Sequence, residues 1–267
     1  MTVWGVAQDD VLSAARGGRL FVEWVELMPG VEVMADAARM DGVRVPVTAT
    51  TAMVVAREWE AELPTPAMLD LRHAAAVKWG LVVQPATQDY RTMQTREAVM
   101  AFSRHIDDAG APTSVYLERR GRPLIVSDVG KAWVETAELR RRKRAGDRGL
   151  ACNYGFFTSQ PRTPRGMTGP KPSVTGQWNV WQEPGYRHNA DHWDYSQTLQ
   201  LIRVRPGCQQ PSHDGLTGLP IANLAAEPPI AAAPASSTAS DDQGVAVAVV
   251  LGAFVAAMLS ATLKRIG

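Results

Sequence analysis

Within Gly185-Tyr186-Arg187-His188-Asn189-Ala190-Asp191-His192-Trp193-Asp194-Tyr195-Ser196 lie two of the five histidines of the chain, with two aspartates, two tyrosines, a tryptophan and a serine. This segment is denser in groups that bind metals, move protons or hold polar ligands than the rest of the sequence. The run Thr198-Leu199-Gln200-Leu201-Ile202-Arg203-Val204 follows it. Its alternation of apolar and polar residues predicts a strand, and we expect that strand to hold the segment on a rigid element.

His192 and Asp194 form an H-x-D pattern. On an extended strand both side chains face the same side, so Asp194 would orient the His192 ring or share a metal ion with it. His188 would complete the site from the preceding loop as a base or ligand, and Tyr195 or Ser196 would contact substrate or an oxyanion. The pattern predicts a catalytic site of these five residues, although a polar surface loop before a strand has the same composition.

The sequence does not identify a cofactor. A divalent metal ion at this site is one alternative. His188 and His192 are four residues apart, as are the zinc-binding histidines of the HExxH motif. Asn189 stands where that motif has its glutamate, and Pro184 and Gly185 disfavour a helix there. The zinc-protease interpretation is therefore weak. Glycine-rich phosphate loops, CxxC pairs and the Gly-x-Ser-x-Gly elbow are absent from the sequence.

Four aromatic residues close to the segment predict a second kind of chemistry: Trp178, Trp181, Tyr186 and Trp193. Flat aromatic faces exposed in a groove would stack on a sugar or a peptide, which makes these residues candidates for substrate binding. The alternative is that they belong to the core, the commoner location of large apolar side chains.

Two further features have a chemical and a structural interpretation. Cys152 would be a nucleophile if a histidine activated it, but it lies in an apolar run that favours a buried structural thiol. A bridge to Cys208 and two reduced thiols both fit the sequence. The basic run Arg140-Arg141-Arg142-Lys143-Arg144 would bind nucleic acid or anionic lipid. With a net charge of +1, we favour a solvated helix end and disfavour a nucleic-acid partner.

The residue pattern predicts a single α+β domain of mixed strands and about four helices over residues 1–205. The predicted helices cover about 51–63, 65–79, 95–108 and 131–142, with a short capped helix at 9–16. Thr65 and Thr95 have the side chain of an N-cap, and Pro66 suits the first helical position. Residues 150–157 read as a buried strand. A hydrophobic content of 45% and a charged content of 21% suit such a globular domain.

The C-terminal part differs in composition from the domain. Residues 206–244, rich in Pro, Ala and Ser, predict a flexible linker. Residues 245–263 carry no charge over nineteen positions, which predicts a transmembrane helix and hence a membrane partner. An Ala-rich buried or oligomerising helix is the alternative, and the flanking charges leave the topology open. The N-terminus lacks the basic and apolar regions of a cleavable signal peptide, so we predict no cleaved leader. Because of the uncharged run, we expect a membrane-associated protein of the cell envelope or a virion.

Short motifs between residues 44 and 204 suggest a family. They are Arg44-Val45-Pro46-Val47, Leu63-Pro64-Thr65-Pro66, Tyr154-Gly155 and a histidine before Asp194-Tyr195-Ser196. In these the chain resembles a group of uncharacterised bacterial and phage-encoded proteins with Leu-Pro-Thr, Tyr-Gly-Trp-His and Asp-Tyr-Ser-His-Gly segments. Phe157 and Gln197 stand where that group has histidines. If those histidines are catalytic in the group, the resemblance implies impaired catalysis here or a function transferred to His192.

These observations together favour a membrane-tethered hydrolase-like protein that acts on a cell-wall polymer such as peptidoglycan. The polar cluster, the neighbouring tryptophans and the tethering helix motivate this hypothesis. The alternative is a non-catalytic, membrane-anchored structural or binding module, such as a phage virion component, in which the cluster is a satisfied hydrogen-bond network.

Overall fold

The computed structural model describes residues 2–3, 6–83, 91–109, 125–127, 129–147, 149–158, 170–186 and 188–211. Over these ranges the chain forms five α-helices and several small β-sheets, which confirms the predicted α+β class. Each helix within these ranges is too short or too polar to cross a bilayer. The predicted transmembrane helix at 245–263, and the predicted linker from residue 212 onward, lie outside the described residues.

Threonine side chains cap four of the helices in the described ranges. The helices are α1 (Gln8–Arg16), α2 (Ala49–Glu58), α3 (Pro66–Trp79), α4 (Arg96–Asp108) and α5 (Ala137–Arg144). The side chains of Thr48, Thr65, Thr95 and Thr136 each accept a hydrogen bond from a backbone N–H of the first turn, which satisfies a donor that the helix leaves unpaired.

One predicted helix is wrong in its first part. Lys131–Trp133 forms a strand, and the helix starts only after Thr136. All four residues from Lys131 to Val134 are buried. Because their strand pairs with a buried neighbour far along the chain, the tertiary environment overrides the local helical pattern.

The strands are short and mostly antiparallel. They are β1 (Thr2–Val3), β2 (Val6–Ala7), β3 (Leu20–Phe21), β4 (Trp24–Met28), β5 (Val31–Met34), β6 (Arg39–Met40), β7 (Val43–Arg44), β8 (Leu81–Val82), β9 (Val126–Ser127), β10 (Lys131–Trp133), β11 (Asn153–Thr158), β12 (Lys171–Pro172), β13 (Asn179–Gly185) and β14 (Ile202–Val204). The four-stranded sheet has the order β10-β11-β13-β12, and three-stranded sheets have the orders β14-β5-β4 and β3-β6-β7. Strands β8 and β9 pair in parallel.

The four-stranded sheet contacts the polar segment, since Lys131 of β10 donates a hydrogen bond to Asp194. All six residues of β11 are buried, as the sequence predicts for this run. Gly155 and Phe156 both have positive φ, and the pairing of β11 with β13 shifts register between Asn153 and Gly155. This bulge bends β11. Strand β13 ends at Gly185 and leads directly into the polar segment.

The apolar run after the segment is a rigid element, although only Ile202–Val204 pairs as a strand, against β5. Before that point the backbone N–H of Thr198 donates to the carbonyl oxygen of Lys131, and the N–H of Leu199 to that of Val45. Leu199 and Leu201 are fully buried. The run therefore lies in the core, where its backbone N–H groups donate hydrogen bonds to β10 and to the segment after β7.

Gly130 allows this close packing. Its φ is +121°, and a Cβ atom there would lie 2.3 Å from the carbonyl oxygen of Ser196. The adjacent backbone N–H of Lys131 donates to the same oxygen at 2.6 Å. A side chain at residue 130 would displace the backbone that carries Asp194 and Ser196.

The start of the predicted linker contacts the domain. Gln210 Oε1 accepts a hydrogen bond from the Thr65 backbone N–H, and the Thr65 hydroxyl donates to the carbonyl oxygen of Pro211. Residues 206–211 thus pack near the beginning of α3, beyond the predicted domain boundary at residue 205.

Candidate functional site

The two histidines of the segment meet face to face. The ring centroids of His188 and His192 lie 4.3 Å apart with an interplanar angle of 14°. The side chain of Asn189 accepts a hydrogen bond from the Asp191 backbone N–H, and the N–H of His192 donates to the Asn189 carbonyl oxygen. This tight Asx turn, rather than a helix, brings the rings together. His188 is half-buried and the His192 side chain is 31% exposed.

A buried carboxylate lies behind the pair. Asp194 Oδ1 accepts hydrogen bonds from the backbone N–H and the hydroxyl of Ser196, at 2.9 and 2.6 Å. Asp194 Oδ2 lies 2.8 Å from Lys131 Nζ and 3.8 Å from His192 Nε2. The H-x-D pattern therefore does bring His192 and Asp194 together, through a turn rather than along a strand. The carboxylate is fixed by Ser196 and Lys131 and lies within reach of the His192 ring.

Charge and burial set the protonation of these groups. Burial raises the pKa of Asp194, but the contact with His192, the Lys131 cation and the hydrogen bonds of Ser196 outweigh it and hold that pKa below its usual range. Burial lowers the pKa of His188, and the nearby His192 and Lys131 lower it further while Asp194 opposes them. At neutral pH the site thus holds an anionic Asp194 and a neutral His188 that can accept a proton.

The arrangement does not suit a metal ion shared by both histidines. A bound metal lies close to the plane of each ligating imidazole, about 2.0–2.1 Å from its nitrogen. Because the two rings are stacked nearly in parallel, a metal ion in the plane of one ring would lie outside the plane of the other ring. It could therefore not be bound well by both. Over the described ranges, no group of three His, Cys, Asp or Glu side chains is arranged to hold a metal. The residues at hand support acid–base chemistry more directly than metal ligation.

Two buried side-chain amides lie beside Lys131. Asn153 is diagonal to Lys131 across β10 and β11, and Gln197 pairs with Lys131 in an isolated parallel bridge, so both lie close to its strand position. Both are fully buried, and within the described part of the chain neither side-chain amide has a hydrogen-bond partner. The described residues thus leave two buried amides near Lys131 without a partner, and such buried polar groups are rare in folded proteins.

The remaining predicted catalytic residues face the protein interior. Tyr195 is buried and packs edge-to-face on Phe102, with ring centroids 5.2 Å apart. Ser196 is fully buried, so its hydroxyl serves Asp194. Trp193 is also buried, and its carbonyl oxygen accepts a hydrogen bond from Gln94.

The other predicted substrate-binding aromatics are spread along β13 and its ends. Trp178 is partly buried and presents an edge to His73, with ring centroids 4.7 Å apart. Trp181 is 37% exposed near the middle of the strand. Tyr186 lies against α5, where its hydroxyl is 2.9 Å from Thr136 Oγ1. Trp181 has the exposure expected of a binding residue, whereas Trp178 belongs to a different part of the molecule from the histidine pair.

Lys131 is the site residue that sequence reasoning missed. The sequence pattern places Lys131 at the start of a predicted helix. Its partner Asp194 lies 63 residues away in the chain, so no local pattern links the two. One signal was present: a lysine directly before Ala132-Trp133-Val134 is a cation in an apolar run, and buried lysines need a partner.

Cys152 stays outside this chemistry. It is buried, and burial raises the pKa of its thiol to about 12, so the group is uncharged at neutral pH. This agrees with a structural thiol. Cys208 is exposed and also free.

The basic run is largely paired within its own helix. Glu138 bonds to both Arg141 and Arg142, and Glu135 lies 3.9 Å from Arg140. The cations at the end of α5 also complement the helix dipole. These contacts suit the solvated helix end that the sequence favoured.

The comparisons with known proteins found no match: no family model, no curated protein and no solved structure resembles this chain. At the two positions where the resembled group has histidines, Phe157 stacks on His73 with ring centroids 4.2 Å apart, and Gln197 is buried beside Lys131.

Proposed function

We propose that the chain is a hydrolase that acts on a cell-wall polymer through His188 and His192. The observation that carries this proposal is the partly exposed histidine pair that lies against the buried Asp194–Lys131 ion pair. An accessible base with a fixed carboxylate behind it is a common arrangement for activating a nucleophile.

The roles follow from position. His192 lies between solvent and Asp194, so it would take a proton from a water molecule while Asp194 stabilises the resulting imidazolium. The 3.8 Å separation of their nearest atoms would shorten when substrate binds, as such contacts do in many enzymes. His188, neutral at pH 7, stacks on the His192 ring and would hold it in place, and His192 would return the proton to the leaving group. A water attacking an acyl carbon fits this machinery, which favours the peptide or ester linkages of the polymer.

The expected result of His192→Ala is a loss of wall hydrolysis by a factor on the order of 10²–10⁴, since general acid–base groups contribute about that much. His188→Ala should lose less, because His188 acts through its neighbour. Turbidity loss of purified cell walls, measured with the full-length chain and with and without a chelator, gives the rates. His105→Ala, on α4 and outside the site, is the matched control and should keep the full rate.

Two outcomes would count against this proposal in different ways. Absence of hydrolysis by the unaltered chain on every wall type would remove the enzymatic function. Equal rates for His192→Ala and His105→Ala would remove the assignment of the site while leaving the activity.

A non-catalytic binding module is the second candidate. It is favoured by the pairing of Asp194 with Lys131, which already compensates the carboxylate and ties it into a hydrogen-bonded network with Ser196. In that case the histidine pair would contact solvent without turning over a substrate, and wall binding would survive His192→Ala.

Attachment to a membrane is part of the same proposal and rests on the uncharged run at residues 245–263. The full-length chain is expected to remain in the membrane pellet after a high-salt wash, and a chain shortened to residues 1–244 to move to the supernatant. Equal partitioning of the two chains would contradict the anchor.

A further inference from the structure

A cavity of about 490 Å³ lies between α3, β8 and the beginning of β13. Its size falls in the range of small-molecule sites. It is separate from the histidine pair in sequence and position, because the cavity is at the start of β13 and His188 follows its end. Seven residues of strand separate the two, or roughly 20 Å at the rise of a β-strand.

One wall of the cavity is apolar. Ala76 and Val77 contribute from α3, and Leu81 and Val82 from β8. Gly80 makes the tight connection between these elements, because a Cβ atom there would lie 2.2 Å from the carbonyl oxygen of Ile125. Val77 is 51% exposed, so it stands at the rim of the cavity.

The opposite wall is polar but uncharged. Thr158 contributes from the end of β11, and Gln177 and Asn179 contribute on either side of Trp178. Hydroxyl and amide groups donate and accept hydrogen bonds without a formal charge.

Two aromatic rings complete the lining. His73 Nδ1 lies 2.7 Å from Ser127 Oγ, and burial lowers the pKa of His73 to about 4, so its ring is neutral at pH 7. The indole N–H of Trp178 is buried and, among the described residues, has no acceptor.

We propose that this cavity binds an uncharged, N-acetylated sugar ring. Among the described residues, the lining carries no Asp, Glu, Lys or Arg, so a charged ligand would lose its hydration without gaining a counter-charge from them. A pyranose ring has apolar C–H faces that match the aliphatic wall. Its hydroxyl and acetamido groups match the hydroxyl and amides opposite. This binding does not depend on the histidine pair being catalytic, and a glycan held here could extend along β13 past Trp181.

The test is isothermal titration of the full-length chain with a short oligomer of N-acetylglucosamine. Its deacetylated, cationic counterpart is the comparison probe, and we expect it to bind at least about tenfold more weakly because the described lining residues include no anion. Val77→Trp places a large side chain at the rim and should weaken binding of the acetylated oligomer by about tenfold or more. Met53→Trp, at an exposed apolar position of α2 outside the cavity lining, is the matched control and should bind within about threefold of the unaltered chain.

Gln177→Ala, at an exposed position of the polar wall, should weaken binding by a factor of about three or more through loss of one hydrogen bond. The proposal is overturned if the unaltered chain does not bind the acetylated oligomer at millimolar concentration, if both oligomers bind equally, or if Val77→Trp binds as tightly as Met53→Trp. Binding that persists in His192→Ala while hydrolysis is lost would separate this site from the proposed catalytic one. Hydrolysis without any binding at the cavity would refute this inference alone.

Discussion

Replacing Asp36 by asparagine is expected to lower the free energy of unfolding by about 3–5 kcal/mol, the usual effect of breaking a buried ion pair on one side. Asp36 is buried and accepts hydrogen bonds from Arg39 at 2.6 Å and from Arg44 at 2.9 and 2.7 Å. Both arginines are buried as well. Without the carboxylate, the two buried cations would lose the acidic partner that lies deepest in the protein and would keep the more exposed Asp107.

Urea unfolding at pH 7 measures this effect, with Asp107→Asn as the matched control. The side chain of Asp107 is 21% exposed, so water compensates part of its loss and the destabilisation should be clearly smaller. Equal destabilisation by the two variants would show that the buried position of Asp36 is not what matters.

The destabilisation caused by Asp36→Asn should also depend on pH. Burial raises the pKa of Asp36, but the charges and hydrogen bonds of Arg44 and Arg39 outweigh it, so the pKa lies below its ordinary value. A carboxylate with a depressed pKa stabilises the fold above the pKa of the unfolded chain, about 3.9, and loses that contribution as the pH falls through the folded value. The difference between the unaltered chain and Asp36→Asn should therefore be full at pH 7 and shrink below about pH 4.

Lys131→Met is expected to destabilise the protein by about 3 kcal/mol or more at pH 7. The lysine is buried, and so is Asp194, whose carboxylate would keep, among the described residues, Ser196 and the more distant His192. Removing the cation should raise the pKa of Asp194, because burial is then opposed by fewer groups. The variant should recover part of its relative stability as the pH falls and the carboxylate is protonated.

A double-mutant cycle separates this pair from its surroundings. Asp194→Asn in the Lys131→Met background removes the stranded charge, so the double variant should be more stable than the sum of the two single losses predicts. Strictly additive losses would mean that the two side chains do not interact. Because Asp194 orients His192, both single variants should also lose wall hydrolysis if the proposed function holds.

Local features of the sequence predicted the local structure well. Thr65 followed by Pro66 predicted the start of α3, and Thr95 predicted that of α4. A cap binds backbone groups within three residues of itself, so its effect is encoded where it occurs. The burial of β11 was predicted for a similar reason, since a continuous apolar run must lie in the core.

The candidate site was predicted only in part. The pattern identified His188, His192 and Asp194 as neighbours, and the Asx turn at Asn189 brings them together over a few residues. It could not distinguish Ser196, which supports Asp194 from the interior, from a residue that contacts substrate. That distinction depends on burial, which arises from elements distant in the sequence.

The sequence by itself determined the helix caps, the apolar runs and the polar segment from residue 185 to residue 196. Tertiary structure alone decided that Lys131 pairs with Asp194, that Asp36 joins two buried arginines, and that α3 and β13 enclose a cavity. The physical reason is one of range. Caps and turns are stabilised by hydrogen bonds between near neighbours in the chain, whereas a buried charge is stabilised only by whichever partner the folded path brings beside it.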